Sequence, residues 1–390
     1  MTCVSRAVTS RLERASWIRR MFEEGARLKR ERGAERVFDF TLGNPEVEPP
    51  PVVRQALRRA LDGAEPGQHA YMPNAGFPSV RARLAEQLAA KTGLDYREHH
   101  VLMTVGAGGA LNTLLKALLD EGDEVIVLAP YFVEYGFYVG NHGGRMVLVE
   151  TDEEFQIDVA AIEAAITPRT KAIVLNSPNN PTGVIYRAES LEALDAMLRR
   201  RAPEVVVISD EPYKALTYDG CRAPEVPACI ERCVIATSWS KALAIPGERI
   251  GYLAISPRIP GARQLFDACC FTQRTLGFVN APALWQRVVG EVGLDETVEI
   301  GPYQDKRDLL WEGLVGMGYH CVRPAGAFYL FPRTPDPDDV AFVRRLQEEG
   351  ILAVPGSGFG RAGHMRLALT VPRDVIERAL PGFEKVLRGV

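Results

Sequence analysis

The chain carries a series of short, continuous apolar segments, and polar turns or helical stretches follow most of them. After an early VLMTV come EVIVLAP, RMVLVE, KAIVLNSP, EVVVISDEP, CVIATSWSK and IGYLAIS, with helical stretches such as SLEALDAMLRR between several of them. Segments that are apolar on both faces form strands covered from both sides, and helical connections favour parallel neighbours. The sequence therefore predicts an α/β fold with a mostly parallel sheet and helices on both of its faces.

The pattern changes near residue 290, where strands become shorter and less apolar. The helix YQDKRDLLWEGLVGMG precedes the short strands CVRPA, AFYLFP and HMRLAL, and the stretch LGNPEVEPPP near the other end is rich in helix breakers. At 390 residues the chain is long enough for two domains. We expect a large domain over residues 45–290, and a smaller α+β domain, built from residues 1–44 and 291–390, that closes over the substrate.

Composition excludes several classes of protein. A formal net charge of -4 gives no basic excess, which argues against a nucleic-acid binder. No apolar run approaches the roughly 18 residues of a membrane helix, and the N-terminal residues lack the apolar core of a secretory signal. The 7 cysteines include no C-x-x-C pair, so we expect free thiols in a reducing cytoplasm rather than a metal site.

Unusual residues cluster where the predicted strands end, which is where ligands bind in sheets of this kind. The segment GAGGA opens a helix after VLMTV, and its small residues suit either a phosphate or a tight turn. It does not complete the G-x-G-x-x-G pattern of a dinucleotide site. Phe132, after the next strand, is either a plate for a planar ligand ring or a core residue.

Two carboxylates, Asp210 and Glu211, directly follow a buried strand, and Lys241 follows the next strand in the segment SWSK. A buried carboxylate is costly without a cation or hydrogen-bond donors. The loop NSPNNPTG adds amides, although such a loop also suits a simple Asx turn. A phosphate cradle, an aromatic plate, an amide, a carboxylate, a tyrosine and a lysine together suit pyridoxal phosphate, which forms a Schiff base with lysine and needs a protonated ring nitrogen. We assign Glu211 no catalytic role.

The segments SPNNPTG, SDEPY and SWSKALAIPGERIGY resemble those of the class I and II aminotransferases, fold type I pyridoxal-phosphate enzymes that include aspartate aminotransferase. The resemblance extends from about residue 10 to the C-terminus. It implies that Lys241 is the Schiff-base lysine and proton shuttle and that Asp210 pairs with the ring nitrogen. It also implies that Asn180 and Tyr213 bond the ring 3-oxygen and that Phe132 stacks on the ring. The residues that it implies for the phosphate are Ala107, Gly108, Ser238 and Arg249. Those that it implies for the substrate carboxylate are Gly43, Asn180 and Arg366.

The resemblance also has consequences for assembly and specificity. It implies a homodimer in which Tyr71 reaches the phosphate of the neighbouring subunit. It implies ping-pong transfer from an L-amino acid, aspartate or another common one, to a 2-oxo acid such as 2-oxoglutarate. Arg274 is either the arginine that binds a distal carboxylate across the dimer or a surface residue. Trp17 and Ile18 on a predicted N-terminal helix would instead suit apolar or aromatic substrates.

One departure from the family stands out: the loop GAGGA has no hydroxyl side chain where several relatives carry serine or threonine. Other functions stay open at this point. A pyridoxal-phosphate lyase or decarboxylase would keep every cofactor residue, because the reaction depends on which Cα bond stands perpendicular to the ring. The presence of Lys241, Arg366 and Tyr71 argues against the alternative that the chain is a non-catalytic, ligand-sensing relative of these enzymes. The incomplete glycine pattern argues against a Rossmann dehydrogenase.

Overall fold

The computed structural model describes residues 3–6, 8–12, 27–31, 33–63 and 66–389. Trp17 and Ile18 lie outside these ranges. The strands are β1 (Phe38–Asp39), β2 (Val101–Thr104), β3 (Glu124–Ala129), β4 (Arg145–Glu150), β5 (Thr170–Asn176), β6 (Val206–Asp210), β7 (Cys233–Ser238), β8 (Gly251–Ile255), β9 (Tyr329–Leu330), β10 (Ile351–Leu352), β11 (Val354–Pro355) and β12 (Met365–Ala368).

The helices alternate with these strands along much of the chain. They are α1 (Pro51–Asp62), α2 (Pro78–Thr92), α3 (Gly106–Leu118), α4 (Glu134–Asn141), α5 (Val159–Ala165), α6 (Ala188–Arg201), α7 (Val226–Cys229), α8 (Trp239–Ala242), α9 (Ala262–Thr275), α10 (Ala283–Val292), α11 (Gly301–Met317), α12 (Asp339–Glu348) and α13 (Arg373–Arg388). Short 3-10 helices cover Ala34–Arg36, Glu98–His100, Pro246–Glu248 and Gly356–Phe359.

A seven-stranded sheet forms the centre of the fold, in the order β2-β8-β7-β6-β5-β3-β4. The strands from β4 to β7 pair in parallel, whereas β8 runs antiparallel to both β7 and β2. The prediction of a mostly parallel sheet is therefore confirmed. Because the sheet is parallel from β4 to β7, the carboxyl ends of β5, β6 and β7 lie together at one edge.

Side-chain alternation along the strands divides the core between the two faces of this sheet. In β3, Val125 and Val127 pack into one cluster with residues of α3, while Ile126 and Leu128 pack into another with residues of α6. Burial of each such aliphatic side chain contributes about 1.5–3 kcal/mol to folding. Both faces of the sheet are covered by helices, as the continuous apolar runs predict.

The C-terminal third of the chain forms a second hydrophobic cluster around small sheets. Strand β12 pairs antiparallel with β11 and β9, while β1 near the N-terminus pairs in parallel with β10, so that Phe38 lies beside Ile351. Phe40 is buried in the same cluster as Phe342 and Phe383. Residues close to the N-terminus therefore pack with the C-terminal third, although the limits of the two domains stay a prediction. None of the described helices has the length and apolar character needed to cross a membrane.

Candidate active site

A cavity of about 1320 Å³ opens at the edge of the large sheet where β5, β6 and β7 end. Most of the residues predicted from the sequence line it, although they come from distant parts of the chain. Those residues are Gly43, Ala107, Gly108, Phe132, Asn180, Asp210, Tyr213, Ser238, Lys241, Arg249 and Arg366.

Lys241 lies on the short helix α8, which follows β7 directly and so places the lysine at the end of the sheet. Its Nζ donates a hydrogen bond to the main-chain oxygen of Gly43 at 2.7 Å. Burial, together with the positive charges of Arg366 and Arg249, lowers the pKa of Lys241 to about 8. A lysine amine that loses its proton this readily is suited to nucleophilic attack on a carbonyl group.

Asp210 is the last residue of β6, and its carboxylate is buried. The Tyr135 hydroxyl donates a hydrogen bond to Oδ2, whereas Oδ1 accepts none from the described residues. Burial raises the pKa of Asp210 to about 7, with a further increase from Glu211, although the Tyr135 hydrogen bond acts in the opposite direction. A cationic ligand beside Oδ1 would remove this penalty by stabilising the carboxylate.

Asn176, at the end of β5, connects the Asp210 strand to the following loop. Its Nδ2 donates to the main-chain oxygen of Asp210 at 2.9 Å, and its Oδ1 accepts from the main-chain N–H of Asn180 at 2.7 Å. The first bond follows from the strand register, in which Asn176 lies beside Asp210, and the second is local to the loop that begins at Asn176. Asn176 therefore fixes the position of Asn180 relative to Asp210.

Arg366 on β12 is buried and brings a positive charge from the C-terminal sheet to the cavity. Its Nη1 donates to Asn180 Oδ1 at 3.2 Å and its Nη2 to the Thr41 main-chain oxygen at 2.7 Å. The guanidinium carbon lies 4.8 Å from the ring centroid of Tyr329 and 4.7 Å from that of Phe359. Among the described residues it meets no carboxylate, so a ligand carboxylate would complete its bonding.

Tyr329 also contacts Tyr213, with the two hydroxyl oxygens 3.0 Å apart. Burial raises the pKa of Tyr213 well above its ordinary value, so its hydroxyl keeps its proton and can donate to a ligand. Tyr329 thus touches both Tyr213 and Arg366, two residues predicted to bind different ligands. Tyr329 therefore holds Tyr213 and Arg366 in fixed positions relative to each other.

The N-terminus of α3 and the Arg249 side chain form the anion-binding end of the cavity. Gly106 has φ +68°, and a Cβ placed on it would lie 2.9 Å from Nη2 of Arg249, so only glycine fits there without strain. The N–H groups of the first helical turn have no partner inside the helix. Ser238 and Ser240, whose hydroxyl oxygens lie 3.1 Å apart, line the same cavity.

Three residues singled out in the sequence lie away from this cavity. The Tyr71 side chain is 93% exposed, and Arg274 is exposed on α9 with its guanidinium 5.6 Å from the ring centroid of Phe271. Tyr71 was predicted to act across a subunit interface, and Arg274 either to do so or to be a surface residue; within one chain the cross-interface roles stay predictions. Glu211 is buried, where it accepts a hydrogen bond from the Ser209 hydroxyl at 2.7 Å and lies 3.6 Å from the Lys214 amine.

Sequence reasoning missed Tyr135, Asn176 and Tyr329, which position Asp210, Asn180 and Arg366. Asn176 follows a buried strand and could have been found by its place in NSPNNPTG. Tyr135 and Tyr329 carry no such signal, because their partners are distant in the sequence. Arg11 was also missed; it lines the cavity and donates to the side-chain oxygen of Asn141.

Comparison with known proteins gives a consistent result over nearly the whole chain. The family model "Aminotransferase class I and II" matches residues 35–383. The aspartate/prephenate aminotransferase of Thermus thermophilus is 38% identical over 355 residues, which cover 89% of this chain and 90% of that protein. An amino transferase structure from Eubacterium rectale superimposes with a TM-score of 0.95 at 36% identity, covering 100% of this chain and 99% of its own. The Thermus thermophilus aspartate aminotransferase with maleate superimposes with a TM-score of 0.84 at 34% identity, covering 99% and 100%.

Proposed function

The chain belongs to the class I and II aminotransferases, and from this premise we propose that it moves an amino group from an L-amino acid to a 2-oxo acid through pyridoxal phosphate bound at Lys241. The observation that carries the proposal is the presence of a buried carboxylate and a partly buried lysine in one cavity. Asp210 has a carboxylate oxygen without a hydrogen-bond partner among the described residues, and Lys241 has an amine with a lowered pKa.

The residues present fit this cofactor at each of its polar groups. Asp210 Oδ1 suits the protonated ring nitrogen, and Tyr213 and Asn180 suit the ring oxygen. The phosphate suits the start of α3 and Arg249, because a helix N-terminus and a guanidinium both favour anions. When bound, the cofactor supplies an electron sink that stabilises the negative charge left at the substrate Cα.

The protein residues would then bind the substrate and move its proton. Arg366, supported by Asn180, holds the α-carboxylate in the bidentate geometry that suits a guanidinium. The Lys241 amine would accept the substrate α-proton on Nζ as a general base, and Nζ would later donate that proton to the cofactor as a general acid. Phe132 lines the cavity, and its ring would stack on the cofactor ring.

Complete transamination assays of the cofactor-loaded wild type test this function. With aspartate, glutamate, alanine and phenylalanine as donors, we expect amino transfer to 2-oxoglutarate, pyruvate or oxaloacetate. Release of ammonia or carbon dioxide without amination of the added 2-oxo acid would instead favour the lyase or decarboxylase alternative.

We propose aspartate as donor and 2-oxoglutarate as acceptor, with Arg274 binding the distal carboxylate across a dimer. The support is the names of the relatives, which include aspartate and aspartate/prephenate aminotransferases. In Arg274→Ala, kcat/KM for aspartate should fall by about tenfold or more relative to that for alanine, because a charge-assisted hydrogen bond is lost. An equal loss on both substrates would remove the specificity role.

The proposed assembly is a homodimer in which Tyr71 reaches the neighbouring phosphate. Its support is the large exposure of Tyr71, which meets little of its own chain. Sedimentation that shows only monomer at assay concentrations would contradict the roles of both Tyr71 and Arg274. No nucleic-acid partner is proposed.

Two further expectations concern the whole molecule. Residues 1–44 and 291–390 would move as a small domain over residues 45–290. Small-angle scattering should therefore show a smaller radius of gyration when a dicarboxylate inhibitor saturates the holoenzyme, and an unchanged radius of gyration would contradict closure.

A cytoplasmic location is supported by the 7 free cysteines, and recovery of the protein in an oxidising compartment on cell fractionation would contradict it.

A further inference from the structure

Tyr138 is a hydroxyl side chain at the phosphate end of the cavity to which the family resemblance assigns no role. Tyr138 lies on α4 and lines the cavity together with Ala107, Gly108 and Arg249. Its side chain is partly buried, and the positive charge of Arg249 acts on it. The Tyr138 hydroxyl makes no hydrogen bond within the part of the chain that the structure describes. It is therefore a donor without a partner beside a site built for an anion.

The hydroxyl oxygen of Tyr138 lies directly over Gly108, in the first turn of α3. A Cβ placed on Gly108 would lie 3.2 Å from that oxygen and 3.9 Å from Cζ of the same tyrosine. Residue 108 must therefore be small if Tyr138 is to keep its position. The tyrosine oxygen stands next to the space that a side chain at position 108 would fill.

This position matters because the loop GAGGA has no hydroxyl side chain of its own. Backbone N–H groups of α3 and the guanidinium of Arg249 can satisfy part of a phosphate, which carries several acceptor oxygens. Burial raises the pKa of Tyr138 to about 12, with a further increase from Glu134, so the hydroxyl keeps its proton at neutral pH. It can therefore donate to a phosphate but cannot repel it as a phenolate.

We propose that Tyr138 donates a hydrogen bond to the phosphate group of the cofactor and so replaces, from helix α4, the hydroxyl that the phosphate loop lacks. The inference rests on the proposed phosphate site and adds a residue to it. Gly108 and Tyr138 then form a matched pair, in which the absence of a side chain at one position makes room for the hydroxyl of the other.

Equilibrium binding of cofactor to the apoprotein tests this pairing without measuring catalysis. In Tyr138→Phe, the Kd for pyridoxal phosphate should rise about tenfold or more, because a hydrogen bond to a charged group is removed and the ring is kept. The Kd for pyridoxal, which has no phosphate, should change by less than about twofold. The matched control is Tyr131→Phe, since Tyr131 lines the same cavity but its ring lies against Gly360; its Kd for pyridoxal phosphate should stay at the wild-type value.

A double variant tests whether the missing Tyr138 hydroxyl causes the loss of affinity. In Tyr138→Phe the oxygen next to position 108 is gone, so Gly108→Ser in that background has room for its Cβ and supplies a new hydroxyl. The double variant should recover most of the lost affinity. An unchanged Kd for pyridoxal phosphate in Tyr138→Phe, an equal loss for pyridoxal, or no recovery in the double variant would each overturn the proposal. Transamination by the wild type at saturating cofactor tests the proposed function separately.

Discussion

At the scale of single residues, two adjacent carboxylates at the end of β6 have different surroundings. Asp210 faces the cavity and has one oxygen without a partner among the described residues, whereas Glu211 is bonded to Ser209 and lies near Lys214. Successive side chains of a strand point to opposite faces, which explains the separation. A single substitution at each position therefore has a different expected result.

Asp210→Asn should keep cofactor binding but lower kcat for transamination by about a hundredfold or more. The neutral amide cannot hold a proton on the ring nitrogen, so the electron sink is weakened when charge develops at the substrate Cα. Steady-state kinetics and cofactor titration of the same preparation measure the two effects. Near-normal turnover would contradict the assignment of Asp210.

Glu211→Gln is the matched control, because it removes the neighbouring charge and keeps the size of the side chain. Its cost should appear in stability, since the Lys214 amine loses the carboxylate 3.6 Å away and keeps only that of Glu225 at 3.4 Å. Turnover at saturating cofactor should remain within a few-fold of the wild type. A loss of kcat as large as that of Asp210→Asn would contradict the separate roles of Asp210 and Glu211.

Residues in local motifs could be predicted from the sequence, and residues defined by distant contacts could not. Lys241 and Asp210 each follow a buried strand within a recognisable segment, and the structure places both in the cavity. Tyr135 bonds Asp210 and Tyr329 bonds Tyr213 only through the folding of the chain. Their neighbours in the sequence give no sign of those partners.

At the scale of elements, the site depends on the close approach of β8 to the start of α3. A Cβ placed on Gly251, the first residue of β8, would lie 2.4 Å from the Thr237 main-chain oxygen and 2.8 Å from the main-chain carbon of Gly106. Both neighbours are backbone and cannot rotate away. The sequence predicted these elements but not their contact, because β8 runs antiparallel in an otherwise largely parallel sheet.

Gly251→Ala should therefore lower the free energy of unfolding by about 1–3 kcal/mol or more, the usual cost of overpacking. It should also weaken cofactor binding, because α3 and Arg249 would move apart. Denaturant unfolding of the apoprotein measures the first effect. Gly247→Ala is the control, since a Cβ there meets nothing within 4 Å; equal stability of the two variants would contradict the close approach at Gly251.

At the scale of the whole molecule, the cavity joins the large sheet to the C-terminal third of the chain. Asp210 ends strand β6 of the large sheet, and Lys241 lies on the helix that follows β7. Arg366 comes from β12, and Thr41 and Gly43 come from the segment near the N-terminus. The hydrogen bonds from Lys241 to Gly43 and from Arg366 to Thr41 link these parts directly. Substrate carboxylate and cofactor would therefore be held by different parts of the molecule.

The central claim is that Lys241 carries the cofactor, and borohydride reduction of the purified holoprotein followed by peptide mass spectrometry tests it most directly. Reduction should fix the cofactor mass on the peptide that contains Lys241 and remove the coloured absorbance band. Lys241→Ala should acquire no such label under the same conditions. A label on another lysine, or a colourless protein that takes up no pyridoxal phosphate, would contradict the claim.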